Sequence, residues 1–186
     1  FPHGRAQRVP APRLPPLSVR APVLLALHVL GTPGGRAEAL PELDLKATYT
    51  YNFAALTQWP PSTRANFNLC VLGDDNLAAA MRRLEGKALH GRAVAVARLG
   101  SLAAIRDCDV LYVGVDEAPS LPHIVALLGD APVLTVTDAP PPQPAAILIV
   151  PEGTRLAFEV DLERSRRAGL RPGAALLGLA RNLRRP

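Results

Sequence analysis

The chain has 186 residues, of which 48% are apolar and 20% charged, so it can bury one sizeable core and is expected to form one domain of ordinary size. The formal charge of +5 points to nucleic acid only until it is located. Arg5, Arg8, Arg13, Arg20 and Arg36 oppose Glu38 within residues 1–39, whereas residues 40–186 come close to neutral, a distribution that argues against a nucleic-acid partner.

Residues 1–39 read as a signal peptide with an upstream segment. A basic stretch ending at Arg20 is followed by the apolar run Ala21–Leu30, by Gly31-Thr32-Pro33-Gly34-Gly35 and by the small-x-small triplet Ala37-Glu38-Ala39. That is the order of a secretory leader, with cleavage expected after Ala39. The run is about half of the ~20 apolar residues a bilayer-crossing helix needs, and no later segment is long and apolar enough to span. The other reading is a Pro/Arg-rich tail that carries an apolar stretch by chance. The domain proper is expected over residues 40–186.

Leu43 to Gln58 has Leu45, Tyr49, Phe53 and Leu56 at spacings of three and four, which predicts a helix ended by Trp59-Pro60-Pro61. Phe67 to Leu72 is a short apolar run stopped by Gly73 and predicts a buried strand. Asp74 or Asp75 can cap the next helix, which runs through Leu84. A strand at Val94–Leu99, a short helical stretch after Ser101 and a strand at Val110–Val115 follow. Then come a helix at Ser120–Leu128 and a strand at Val133–Thr137. Near-continuous apolar strands alternating with helices are what a parallel sheet covered on both faces requires. Ala139–Pro144, with four prolines, is expected to be an extended loop. Ile147–Val150 and Leu156–Val160 around Pro151-Glu152-Gly153-Thr154 predict an antiparallel hairpin. Asp161 should cap a helix at Leu162–Ala168 closed by Gly169, and a last helix is expected from Ala174 to Leu183.

Residues that could carry chemistry are few. Cys70 and Cys108 are not in a C-x-x-C, and His3, His28, His90 and His123 lack ligand spacing, so no metal or redox site is expected. In an exported protein the two cysteines could be bridged; as buried core thiols they could equally be free. Asp74 with Asp75, and Asp107 with Asp109, lie at strand ends, where capping and solvation account for them, and no catalytic residue is assigned. Cys70-Val71-Leu72-Gly73-Asp74-Asp75 has one glycine and two acids where a dinucleotide site needs G-x-G-x-x-G, so no cofactor is expected. Asp138 follows a strand at the position where α/β folds place ligand contacts, although a turn aspartate before Pro140 is the simpler reading. Tyr49, Asn52 and Trp59 fit either helix packing or a partner surface. The arginines at 164, 166, 167, 171, 181, 184 and 185, against Glu163, make the C-terminal segment basic. An anionic lipid, an acidic partner or plain solvation would suit it.

The string Lys46-Ala47-Thr48-Tyr49-Thr50-Tyr51-Asn52-Phe53 to Trp59-Pro60 resembles the opening helix of YfiR-type proteins, in which K-A, N-F and W-P recur at these spacings. Leu69-Cys70-Val71-Leu72-Gly73-Asp74, Leu84-Glu85-Gly86-Lys87 with Gly91-Arg92, Cys108 to Val113, Val133 to Asp138, Phe158-Glu159-Val160-Asp161 and Ala168-Gly169-Leu170 resemble later family segments in the same order. Together they cover about residues 43–182. The resemblance implies a periplasmic domain with a Rossmann-like three-layer α/β sandwich, a mostly parallel sheet with a C-terminal antiparallel hairpin, and no catalytic residues. It also implies a repressor that binds the periplasmic domain of an inner-membrane diguanylate cyclase, controls cyclic-di-GMP and biofilm, and can be sequestered by an OmpA-like outer-membrane lipoprotein. A homodimer is open. The chain departs from the family at Pro140–Ala146, where a glycine-rich turn is usual, and at Asp161, where asparagine is. The rival reading is a small-molecule-sensing module of the same fold using the strand-end crevice near Gly73, Asp116 and Asp138; an enzyme would need an acid–base pair that the sequence does not offer.

Overall fold

The computed structural model describes residues 35–184, with side chains from Glu42 onward. The expected leader lies outside the described residues up to Gly34, and the expected cleavage point after Ala39 falls within the first helix, α1, Gly35–Ala55. The strands are β1 Thr57–Gln58, β2 Asn66–Leu72, β3 Ala88–Leu89, β4 Arg92–Leu99, β5 Val110–Val113, β6 Leu134–Thr137, β7 Ile147–Glu152, β8 Arg155–Asp161, β9 Arg171–Pro172 and β10 Asn182–Arg184. The remaining helices are α2 Asp75–Met81, α3 Leu121–Leu128, α4 Leu162–Arg167 and α5 Ala174–Leu179.

Eight strands form one sheet in the order β10-β8-β7-β6-β5-β2-β4-β3. The central pairs β4/β2, β2/β5, β5/β6 and β6/β7 are parallel, β7/β8 and β3/β4 antiparallel, and β10 joins β8 in parallel. The protein is thus a mixed α/β domain on a mostly parallel sheet. Side-chain alternation along each strand divides the core in two. Phe67, Leu69, Val71, Tyr112, Val136 and Ile147 pack with Ala47, Phe53 and Ala54 of α1 and Leu77 and Met81 of α2. Cys70, Leu72, Leu111 and Val113 pack on the opposite face with Leu121, Ile124 and Leu128 of α3. Each large side chain so buried contributes about 1.5–3 kcal/mol, and this is why the central strands read as unbroken apolar runs.

The chain runs from β2 to β4 on one side and then crosses to β5 on the other, so the strand order reverses between β2 and β5. In open α/β sheets, ligands sit outside the carboxyl ends of the strands at such a point. Here the two loops that leave it are pressed together. Gly114 N–H donates to Leu72 O at 2.8 Å, and a Cβ on Gly114 would lie 2.6 Å from Gly73 O. Gly73 itself has φ +77°, a conformation that glycine adopts without strain.

Several boundaries differ from the sequence expectation. The first helix stops at Ala55 rather than Gln58, because Thr57 and Gln58 pair antiparallel with Pro172 and Arg171. The second helix is capped by Asp74, whose carboxylate accepts from Leu77 N–H at 2.8 Å, and its expected last turn, Arg82–Leu84, is a 3-10 turn. The strand expected from Val94 begins at Arg92 and gains an antiparallel partner, β3. The intervening His90 and Gly91 have φ 48° and 75°, both left-handed as a two-residue hairpin turn demands. Val115 leaves β5 for a 3-10 segment, Val115–Ser120. The last helix, expected to Leu183, ends at Leu179, and Asn182–Arg184 instead pair with Glu159–Asp161. Gly178 weakens that helix, while the open edge of β8 offers ladder hydrogen bonds, Arg181 N–H donating to Phe158 O at 2.9 Å.

Candidate functional site

The carboxyl ends of β2, β5 and β6 meet beneath α1. Lys46 of α1 lies over them and donates to Asp138 Oδ2 at 2.6 Å, while pairing with Glu42 at the same distance one helical turn away. Burial would lower the pKa of the Lys46 ammonium. The hydrogen bonds and charges of Asp138 and Glu42 reverse that and leave it above the ordinary lysine value. Tyr112 of β5 is fully buried. Its hydroxyl and Asp138 Oδ1 are both inaccessible and neither has a partner in good hydrogen-bond geometry. Burial drives the Tyr112 pKa far up, with the negative charges of Asp138, Asp74 and Glu42 adding to it. The phenol therefore stays protonated at any physiological pH. A protein ammonium thus occupies the place where related architectures hold a ligand, and the two loops of the crevice touch, so the arrangement closes the site rather than opening it. The acidic depression beside it, lined by Asp74, Asp75, Asp116 and Glu117, lies open on the surface. Among the described residues no group of three or more His, Cys, Asp or Glu could hold a metal ion.

The residues singled out from the sequence do not form one surface. Tyr49 belongs to the core: its hydroxyl donates to Leu156 O at 3.0 Å and its ring packs on Phe53 and Phe158, 5.8 and 6.2 Å between centroids. Trp59 is half-buried against Phe67 and His90 and donates from Nε1 to Pro132 O at 3.2 Å. Asp74 caps α2 and Asp138 holds Lys46. Asn52 is exposed on α1.

Cys70 and Cys108 are joined in a disulfide, with Cα atoms 5.8 Å apart. Cys70 lies on β2 and Cys108 just before the adjacent β5, and both are buried on the α3 face. The bridge fastens the two strands at which the sheet order reverses.

At the amino ends of the same strands, Asp109 is 1% exposed. It accepts from Asn68 N–H at 2.8 Å and from both terminal nitrogens of Arg92 at 3.2 and 3.0 Å, with Arg64 3.6 Å away. Asp107, its sequence neighbour, is exposed, so the two carboxylates do not act as a pair. Sequence reasoning placed Asp109 at a strand end but did not supply its guanidinium partners. The signal that was there is Arg92 directly after a turn glycine at the start of an apolar strand. The basic C-terminal segment is largely paired: Arg166 and Arg167 meet Glu163 at 3.2 Å, Arg181 meets Glu159 at 2.8 Å, and Arg184 donates to the carbonyls of Gln143 and Ala145.

Among solved structures, an ABC domain from Streptococcus pneumonia, determined in complex with L-Trp, is similar at 10% identity and a TM-score of 0.49 over 74% of this chain. The match spans 60% of that chain. The YfiR/HmsC-like family matches residues 43–181, a span that runs from within α1, three residues before Lys46, to Arg181 and takes in the disulfide, the Lys46–Asp138 pair and the Asp109 cluster. The chain belongs to the YfiR/HmsC-like family.

Proposed function

We propose that this protein is a periplasmic regulatory binding protein that represses an inner-membrane diguanylate cyclase and thereby controls cyclic-di-GMP signalling. The observation that carries the reading is the family match over residues 43–181. The disulfide supports export, since such bonds persist in oxidising compartments. In this reading residues 1–39 are a signal peptide cleaved after Ala39, residues 40–186 form a Rossmann-like three-layer domain, and the protein acts by binding, without turnover. An OmpA-like outer-membrane lipoprotein is the proposed sequestering partner. Asn52 is the one residue of the original candidate surface that is both exposed and uncommitted. Repression then rests on a difference in affinity for the two states of the cyclase, because a ligand shifts an equilibrium only by that difference.

A pull-down from solubilised inner membrane tests the reading directly: a diguanylate cyclase should co-purify, and deletion should raise cyclic-di-GMP. Unchanged cyclic-di-GMP in the deletion strain would refute it. Small-molecule sensing at Gly73, Asp116 and Asp138 is not favoured, because Lys46 pairs with Asp138 and the depression lined by Gly73, Asp74, Asp75, Asp116 and Glu117 is acidic and lies open on the surface.

A further inference from the structure

Among the described residues, Arg164 and the exposed Arg171 are the arginines of the C-terminal segment without an ion pair, and Arg164 is the half-buried one. It stands on α4 with its Nε buried and without a hydrogen-bond partner. Among the described residues, no carboxylate lies within ion-pair distance of its guanidinium, while Arg166 and Arg167 both have Glu163. Asp161 is close: one of its oxygens accepts from the backbone N–H of Arg164 at 2.9 Å, and its charge offsets part of the guanidinium's without forming an ion pair with it. Burial lowers the pKa of Arg164, Asp161 opposes the shift, and the charges of Arg167 and Arg184 reinforce it, so the group is held below the ordinary arginine value. A half-buried guanidinium among like charges is costly, and an anion is the group that would relieve it.

Space for one is present. Arg164 and Arg167, three residues apart on α4 and so on one face of it, line a cavity of about 330 Å³ between α4, the C-terminal half of α3 and the start of β6. Thr135 also lines it, at 3% exposure. The Thr135 oxygen already accepts from Ala146 N–H at 2.9 Å, which leaves its proton to donate. The cavity therefore presents guanidinium and hydroxyl donors, and they call for a ligand group that only accepts. Val125, Leu128 and Val133 supply apolar walls, and the volume is at the small end of the range for sites that hold small molecules. Asp130 stands at the rim beside the C-terminal end of α3, whose dipole is negative. Both penalise a dianion more than a monoanion, which selects a carboxylate over a phosphate.

We propose that the cavity between α3 and α4 binds a small monocarboxylate with an apolar body, its oxygens held by Arg164, Arg167 and Thr135 and its body laid against Val125, Leu128 and Val133. The site lies at the start of β6, at the opposite end of that strand from Asp138, and is separate from the closed strand-end cluster. It extends the proposed regulatory role by giving the binding protein a site for a metabolite.

Calorimetry on the purified protein with benzoate, benzyl alcohol and inorganic phosphate as probes tests this. Benzoate should bind saturably, and benzyl alcohol, which has the body without the charge, and phosphate, which has charge without the body, should each bind at least about tenfold more weakly. Arg164→Gln and Arg167→Gln should each weaken benzoate roughly ten- to a hundredfold, the worth of a charge-assisted hydrogen bond. Arg164→Gln without ligand should melt no lower than the parent, since it removes a half-buried charge that makes no ion pair; a clear fall, or failure to fold, would assign the guanidinium to packing and overturn the proposal. Arg167 is exposed, so Arg167→Gln should fold as the parent does and isolates the effect on benzoate binding. No saturable benzoate binding up to about 10 mM, or binding that neither substitution changes, would refute it. These readouts use no cyclase, so failure here leaves the repressor reading standing.

Discussion

Replacing both cysteines, Cys70→Ala with Cys108→Ala, should cost a large fraction of the stability of this domain. The bridge closes a loop with a sequence separation of 38. In the chain-entropy account, a closed loop of that length restricts the unfolded ensemble by about 4 kcal/mol at 25 °C. Domains of this kind are stable by only about 5–15 kcal/mol in total. The folded state should change little, because Cys70 and Cys108 lie on adjacent elements that the β2/β5 ladder already pairs, Cys70 standing opposite Leu111. Urea unfolding followed by circular dichroism, with and without a thiol reductant, measures the effect. With a urea slope of about 2 kcal/mol per molar, the midpoint should fall by about 2 M in the double variant. Reductant should bring the parent to the same midpoint and leave the variant where it is. A midpoint change below about 0.5 M at unchanged slope would refute the reasoning, since it would mean that the bridge does not restrict the unfolded chain as its loop length requires.

Two further outcomes follow from the ends of the sheet. Arg92→Ala should destabilise the domain by about 3 kcal/mol, the lower end of the cost of breaking a buried pair, because Asp109 keeps only the Asn68 amide and the more distant Arg64; chemical denaturation reads it, and a loss under about 1 kcal/mol would show that Arg64 alone satisfies the carboxylate. Tyr112 and Lys46 both have folded-state pKa values raised above their unfolded values. Their contribution is therefore complete below about pH 10 and is lost as pH rises beyond it. Tyr112→Phe should flatten the decline in melting temperature above that pH, and an alkaline limb identical to the parent's would contradict the assignment.

The candidate site was legible only one residue at a time. Either Asp74 or Asp75 could cap the helix after Gly73, and the structure makes it Asp74. Asp138 was placed at a strand end, yet nothing in the sequence near it names Lys46, which lies 92 residues away in sequence. Tyr49 and Trp59 carried no local mark to separate core from surface, since an aromatic at helical spacing suits either. Their assignment rests on Leu156 and Pro132, whose carbonyls receive their donors across the fold. The same limit hid the site between α3 and α4. Arg164 looked like one member of a basic run until the acids near it were seen to be taken by its neighbours.

The sequence by itself determined the elements and their family. Unbroken apolar strands such as Val110–Val113 mark a sheet buried on both faces, and glycines and capping aspartates punctuate the chain through local backbone and hydrogen-bond chemistry. Where an element had to compete with a partner far along the chain, only the tertiary structure decided. Gln58 left its helix for Arg171, and Leu183 left its expected helix for the edge of β8. Cys70 and Cys108 could be bridged or free until β2 and β5 were adjacent. Local propensity is worth a few tenths of a kcal/mol per residue, less than a ladder hydrogen bond or a paired charge, so long-range contacts override it wherever the two disagree.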